Sequence, residues 1–221
     1  MAEDTQGMEF IASFFAGVED GFLIDVGAYD GIGNGSMSEA LLARGWSGLM
    51  VEPQKSAYAK LEQAYKDNPR VVCSPVACSE VEGAAMLHPH KGVSTLNDDW
   101  AKACDAHWKH VHYGEPYKVK CARLGTLLAD MQKEVGFPVD TVDYLQIDTE
   151  GSDFDVLRSM NWAFQPRLVC VETLDMCHRE RKVRGVWEPD PAMEAYLIGL
   201  GYKRAMLTRG GNGIYVRKDV S

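Results

Sequence analysis

Asp25 and Asp30 flank a glycine-rich turn, Gly27-Ala28-Tyr29-Asp30-Gly31, that follows the apolar run Phe22-Leu23-Ile24. Glu52 comes about 20 residues further on, at the tip of a second apolar run, Leu49-Met50-Val51. A carboxylate there is placed to accept hydrogen bonds from the two hydroxyls of a ribose. Later in the chain Asp148 and Glu150 follow an apolar strand pattern, and Glu172 follows Leu168-Val169-Cys170-Val171. These residue types suit a nucleoside cofactor, with carboxylates nearby for metal binding or general-base chemistry.

Glycine spacing narrows the cofactor. A dinucleotide fold wants G-x-G-x-x-G, so that amides at a helix N-terminus cradle a pyrophosphate. Here Asp25 to Gly31 reads D-x-G-x-x-x-G, and counting from Gly31 and Gly33 the third glycine position falls on Ser36. Two carboxylates beside the turn would repel a pyrophosphate. They suit a cofactor with a cationic head and no phosphate, which describes S-adenosylmethionine with its ammonium and sulfonium. The competing reading is a turn that packs closely and binds nothing.

The elements that must position these groups follow from periodicity. Apolar runs predict strands over 22–26, 49–51, 71–78, 142–147 and 168–171, with Pro75 marking an edge or a bulge in the third. Helical spacing predicts helices over 8–18, 36–44, 55–68, 123–135, 153–160 and 191–200. Two last strands, 203–207 and 213–216, are joined by Thr208-Arg209-Gly210-Gly211-Asn212, a turn short enough to force an antiparallel pair. The fold class expected is α/β: a three-layer, Rossmann-like, mostly parallel seven-stranded sheet ending in an antiparallel hairpin, the outline of a class I methyltransferase. The domain reading is one methyltransferase domain over 1–221, with an N-terminal helix in 1–20. An irregular insert over 80–120 could face the substrate.

Bulk properties limit the partners. The 221 residues are 46% hydrophobic and carry a formal charge of −9. That balance argues against a nucleic-acid backbone, which needs clustered Lys and Arg. The one basic cluster, Arg179, Arg181, Lys182 and Arg184, reads first as a solvated loop face and second as a grip on an anionic substrate group. No apolar run reaches membrane-span length. The acidic start, MAEDTQGMEF, lacks the basic region of a signal peptide, so the expectation is a cytoplasmic protein. The six cysteines show no C-x-x-C and no zinc-finger spacing, and Cys73 and Cys170 read as small buried hydrophobes. Oligomeric state is not legible.

In such a sheet, ligands bind beyond the carboxyl ends of the strands. Asp25 and the turn residues Gly27, Ala28, Tyr29, Asp30 and Gly31 are expected to hold the methionine part, with Glu52 and Pro53 at the ribose. Ala77 to Ser79 would border the adenine. Asp148 and Glu172, on neighbouring strands, could share a Mg2+, or one of them or Glu150 could act as general base on a substrate hydroxyl. The competing reading has Asp148 orienting loop amides and Glu150 capping the next helix. His178 is an acid/base or substrate-ligand candidate, or a plain surface residue. His88, His90, His107, His110 and His112 read as loop histidines ahead of a metal site, because no regular period aligns them. Trp100, Trp108 and Trp187 could floor a sugar or polyketide pocket or simply pack.

The segments IDVGAYDG, GWSGLMVEP, ARLGTLLAD, VDYLQIDTEGSDFDVL and RLVCVE, in this order, resemble the FkbM family of S-adenosylmethionine-dependent methyltransferases over about Gly21 to Glu172. The run Asp148-Thr149-Glu150-Gly151-Ser152-Asp153-Phe154-Asp155-Val156-Leu157 is its most specific part. The resemblance implies O-methylation of a hydroxyl on a small molecule, sugar or glycan. It also implies, from related macrolide-sugar enzymes, Mg2+ at the positions of Asp148 and Glu172. Those enzymes would carry a further acid where Thr173 stands, and Asp175 lies beyond it. Methylation of a macromolecule such as RNA or protein, and a non-catalytic cofactor-binding module, are the alternatives.

Overall fold

The computed structural model describes residues 5–32, 38–107, 111–135, 140–173, 182–183 and 186–220. In chain order the elements are α1 Thr5–Phe14, β1 Phe22–Val26, α2 Glu39–Ala43, β2 Ser47–Val51, α3 Lys55–Tyr65, β3 Val71–Ser74, β4 Ala77–Cys78, β5 Gly83–Leu87, α4 Asp98–His107 and β6 Tyr117–Ala122. There follow α5 Leu124–Val135, β7 Tyr144–Ile147, α6 Asp153–Ser159, β8 Leu168–Glu172, β9 Lys182–Val183, β10 Val186–Trp187, α7 Pro191–Gly199, β11 Tyr202–Leu207 and β12 Asn212–Arg217.

The main sheet runs β11-β12-β8-β7-β1-β2-β3. Its strands pair in parallel from β8 to β3, while β12 is antiparallel to both β8 and β11. Every residue of β1, β2 and β7 is buried, because helices cover both faces. Alternate residues go to opposite sides. Ile24, Leu49, Leu145 and Val169 pack with Leu128 of α5, Val156 and Leu157 of α6 and Leu197 of α7. Leu23, Met50, Tyr144 and Cys170 pack with Ile11 of α1, Leu41 of α2 and Leu61 of α3. This is the three-layer class I methyltransferase arrangement expected from the sequence.

Two expectations are refined. The strand expected over 71–78 is broken, because Pro75 has no N–H to continue the ladder. β3 ends at the sheet edge, and β4 turns away to pair with β6 in a second sheet, ordered β4-β6-β5. The segment 80–120, read as irregular, therefore carries β5, α4 and β6; its strands are short and β5 is largely exposed, which blurs their pattern. Cys170 is fully buried as expected, whereas Cys73 is only half-buried. The described cysteines are free thiols. Among the described residues no helix is long and apolar enough to cross a membrane.

Candidate active site

The parallel topology carries the ends of β1, β2 and β7 to one edge, where a cavity of about 290 Å3 opens. Its wall includes Asp25, Gly27, Ala28, Tyr29, Asp30, Gly31, Glu52, Pro53, Ala77, Asp148 and Glu150, so nearly all the residues expected at a cofactor meet in one place. Ser79 is absent from this wall; its amide bonds the Ala122 carbonyl in the second sheet at 3.1 Å. That side is instead closed by Val76, Cys78, Leu87 and Leu96. His178, Asp175 and the arginines of the basic cluster lie outside the described residues, and so do Trp108 and His110.

The glycine turn is pinned by its neighbours. Gly27 and Ala28 both donate to the Val51 carbonyl, at 2.9 and 3.0 Å. Gly27 has φ +89°, and a Cβ there would stand 1.8 Å from the Asp148 carbonyl oxygen. Only glycine allows both that conformation and that approach. Tyr29 adopts φ +49°, which turns its amide onto Glu52 Oε2 at 2.9 Å. Glu52 Oε1 accepts from the Gln54 amide at 2.7 Å. The carboxylate thus ties the turn to the start of α3, and each oxygen keeps a lone pair for a ligand. Burial pushes Glu52 up to about 7 despite those two amides, and pushes Asp25 up to about 6 against the opposing effect of Ser38.

The second acidic group follows β7 and β8. One carboxylate oxygen from each of Asp148, Glu150 and Glu172 lies within 4.8 Å of the others. The loop amides of Thr149 and Gly151 are held by Asp153, at 2.8 and 3.1 Å. The sequence offered that duty to Asp148; the structure gives it to Asp153, at the first turn of α6. Burial, then Asp153 and Asp25, push Asp148 up to about 7. Glu150 is held well above the usual carboxylate range by burial and by Asp148, with Trp100 opposing. Glu172 is raised by burial and then by Glu150 and Asp148, and its Oε2 is buried without a hydrogen-bond partner. Three crowded acids with raised affinity for protons form a donor set that a divalent cation would satisfy.

Glu150 sits at φ +55°, a costly conformation for a residue with a side chain. Residues of the segment after β5 hold it there. Thr95 Oγ1 donates to the Glu150 carbonyl at 2.6 Å, and Asn97 Nδ2 to the Gly151 carbonyl at 3.0 Å. The Trp100 ring lies over Gly151, where a Cβ would meet it at 2.7 Å. Trp100 is therefore a packed, 2% exposed residue beside the acids, not an open floor. Thr95 and Asn97 were missed as site residues because nothing local marks a long-range clamp, whereas Asp153 sits within the Asp148–Leu157 run and holds amides two and four residues away. Gln146 was missed although it carried a signal, a polar amide inside an otherwise apolar strand run.

Two of the described histidines are paired with nearby acids. His88 Nε2 pairs with Asp98 at 2.6 Å and His112 Nδ1 with Asp105 at 3.6 Å. Thr173, where the related macrolide-sugar enzymes would carry a further acid, is buried and donates through Oγ1 to the Gly211 carbonyl at 2.7 Å. That bond ties β8 to the turn between β11 and β12.

Residues 25–204 match the methyltransferase FkbM domain. Among solved structures, the methyltransferase FkbM from Methylobacillus flagellatus KT is similar at 13% identity and a TM-score of 0.49, over 90% of this chain and 44% of that one. The METTL16 MTase domain is similar at 12% identity and a TM-score of 0.48, over 96% and 65% of the respective chains. WbdD is similar at 13% identity and a TM-score of 0.46, over 96% and 35%. The chain thus spans less than two thirds of the length of each. No curated protein matches the sequence. The domain match covers most of the chain, and the turn, Glu52, the Asp148–Asp153 loop and Glu172 all fall within it; the chain belongs to the methyltransferase FkbM family.

Proposed function

We propose that this protein is an S-adenosylmethionine-dependent O-methyltransferase acting on a hydroxyl of a small molecule, sugar or glycan. The observation that carries the cofactor reading is the charge of the cavity. Asp25, Asp30, Glu52, Asp148 and Glu150 line it, and no Lys, Arg or His is among the described lining residues. A pyrophosphate would find five acids and no cation. A sulfonium and an ammonium are favoured there, and Glu52 keeps acceptor capacity for a ribose diol.

Catalysis on this reading is in-line methyl transfer, helped by proximity and by removing the acceptor's proton. Glu150 and Asp148 are the groups for the second task. Their raised pKa values make them stronger bases than free carboxylates once ionised. Asp148, Glu150 and Glu172 also fit a Mg2+, since Glu172 Oε2 lacks a partner and the three carboxylates crowd one point. A bound Mg2+ would supply positive charge that acidifies a coordinated hydroxyl. Thr95, Asn97 and Trp100 then serve by keeping Glu150 aimed at that point. The O-methyl specificity rests on these acids and on the family.

Calorimetry tests the cofactor reading. S-adenosylhomocysteine should bind, and Glu52→Ala should weaken it by at least about tenfold, the loss of hydrogen bonds to a charged group. Tight NADH binding without S-adenosylhomocysteine binding would sink the proposal.

A further inference from the structure

Beneath the turn lies a polar pair, of which Gln146 has no part in the chemistry above. Asp25 on β1 and Gln146 on β7 are register partners on adjacent parallel strands. Their backbones are therefore about 5 Å apart, and alternation sends both side chains to the same side of the sheet. Asp25 is 4% and Gln146 6% exposed, and both border the cavity. A neutral amide in the middle of an otherwise apolar core strand is costly to bury unless its polar atoms are used.

Half of that amide is used. The Tyr144 hydroxyl donates to Gln146 Oε1 at 2.5 Å. Tyr144 is fully buried, and burial holds its hydroxyl protonated, so its proton needs an acceptor. The Gln146 oxygen is a stronger acceptor than the Cys170 sulfur, the hydroxyl's other partner. Its NH2 is thereby oriented as a donor, and among the described residues no acceptor is recorded for Nε2. The pocket edge then presents an acid and, one strand away, a fixed amide donor.

We propose that Gln146 Nε2, set by Tyr144, binds the α-carboxylate of the cofactor's amino-acid end while Asp25 on the neighbouring strand takes its ammonium. An α-amino acid carries these two charges on one carbon, so it needs an acceptor and a donor side by side. The cavity otherwise offers an anion five acids, so a neutral donor that cannot be inverted matters to affinity. A glutamate at 146 would add a sixth. Tyr144 is a positioning residue, touching the ligand only through Gln146.

The inference rests on the S-adenosylmethionine reading, and one experiment separates the two. S-adenosylhomocysteine and its decarboxylated analogue, S-adenosyl-3-thiopropylamine, are titrated into wild type and Gln146→Leu by calorimetry. If wild type binds neither, the cofactor reading itself fails. If it binds, Gln146→Leu should lose about 10- to 100-fold for S-adenosylhomocysteine, a hydrogen bond to a charged group, and under about threefold for the amine. Equal loss of both ligands, or no loss of either, overturns the carboxylate assignment and leaves the cofactor reading standing. Retained amine binding also shows that the variant is folded. Should Gln146→Leu fail to fold, Tyr144→Phe decides. It frees the amide to rotate and should selectively weaken S-adenosylhomocysteine; unselective or unchanged binding overturns the proposal.

Discussion

Gly27→Ala tests the packing of the glycine turn against the loop after β7. The variant meets two penalties. At φ +89° a side chain costs about 1–2 kcal/mol in backbone strain. The new Cβ would also stand 1.8 Å from the Asp148 carbonyl oxygen, which would have to retreat by about 1.6 Å to reach ordinary contact. That carbonyl is backbone at the end of β7, where the Asp148 amide bonds the Val26 carbonyl at 2.9 Å, so retreat disturbs the β1–β7 pairing. Overpacking of this kind costs about 1–3 kcal/mol more. The total, about 2–5 kcal/mol, lowers the Tm of a domain this size by about 4–20 °C. Gly45→Ala is the control: it has φ +93° and nothing within 4 Å, so it carries the strain without the clash. Differential scanning calorimetry of both variants, with S-adenosylhomocysteine titration of each, reads the difference. A Gly27→Ala Tm no lower than that of Gly45→Ala, with cofactor affinity intact, would refute the close approach of turn and loop.

The pH dependence has a defined sign. Asp25, Glu52 and Asp148 have folded-state pKa values raised to about 6, 7 and 7, so the ligand-free folded protein holds protons that the unfolded chain releases. Their destabilising effect is absent below about pH 4 and complete above about pH 7, so Tm should fall between pH 5 and 7.5; a rise across that window would contradict the burial of these acids. Thr95→Val removes the bond to the Glu150 carbonyl and one from the Asn97 amide, about 1–3 kcal/mol together. Turnover should drop while S-adenosylhomocysteine affinity holds, and unchanged turnover would mean Glu150 needs no clamp. EDTA should lower turnover at least about tenfold with recovery on adding Mg2+, as expected when a metal-bound group is lost; full activity in EDTA would leave the acids a purely basic role.

Much of the frame was legible in the chain because it is written in local patterns. Apolar runs mark strands covered on both faces, and Gly27, Gly31 and Glu52 mark a glycine-rich turn tied to the tip of the second strand. The acids after 147 mark the end of the sheet where the cavity opens. Helix ends drifted by a few residues, since periodicity fades where chains fray. The segment after Pro75 was illegible because its short strands earn their stability from pairing with β6.

The sequence by itself determined the layer architecture and which strand tips carry carboxylates, both consequences of side-chain period and spacing, and its motifs carried the resemblance to the family that the domain match bears out. Only the tertiary structure decided how those carboxylates are arranged. It gave the amide-holding duty to Asp153 and left Asp148, Glu150 and Glu172 crowded on one point. It brought Thr95, Asn97 and Trp100 across about 50 residues of chain to hold Glu150, and set Gln146 beside Asp25. The reason is geometric. Register between strands and the path of a chain over a sheet edge depend on every packed layer at once, and no window of neighbouring residues contains them.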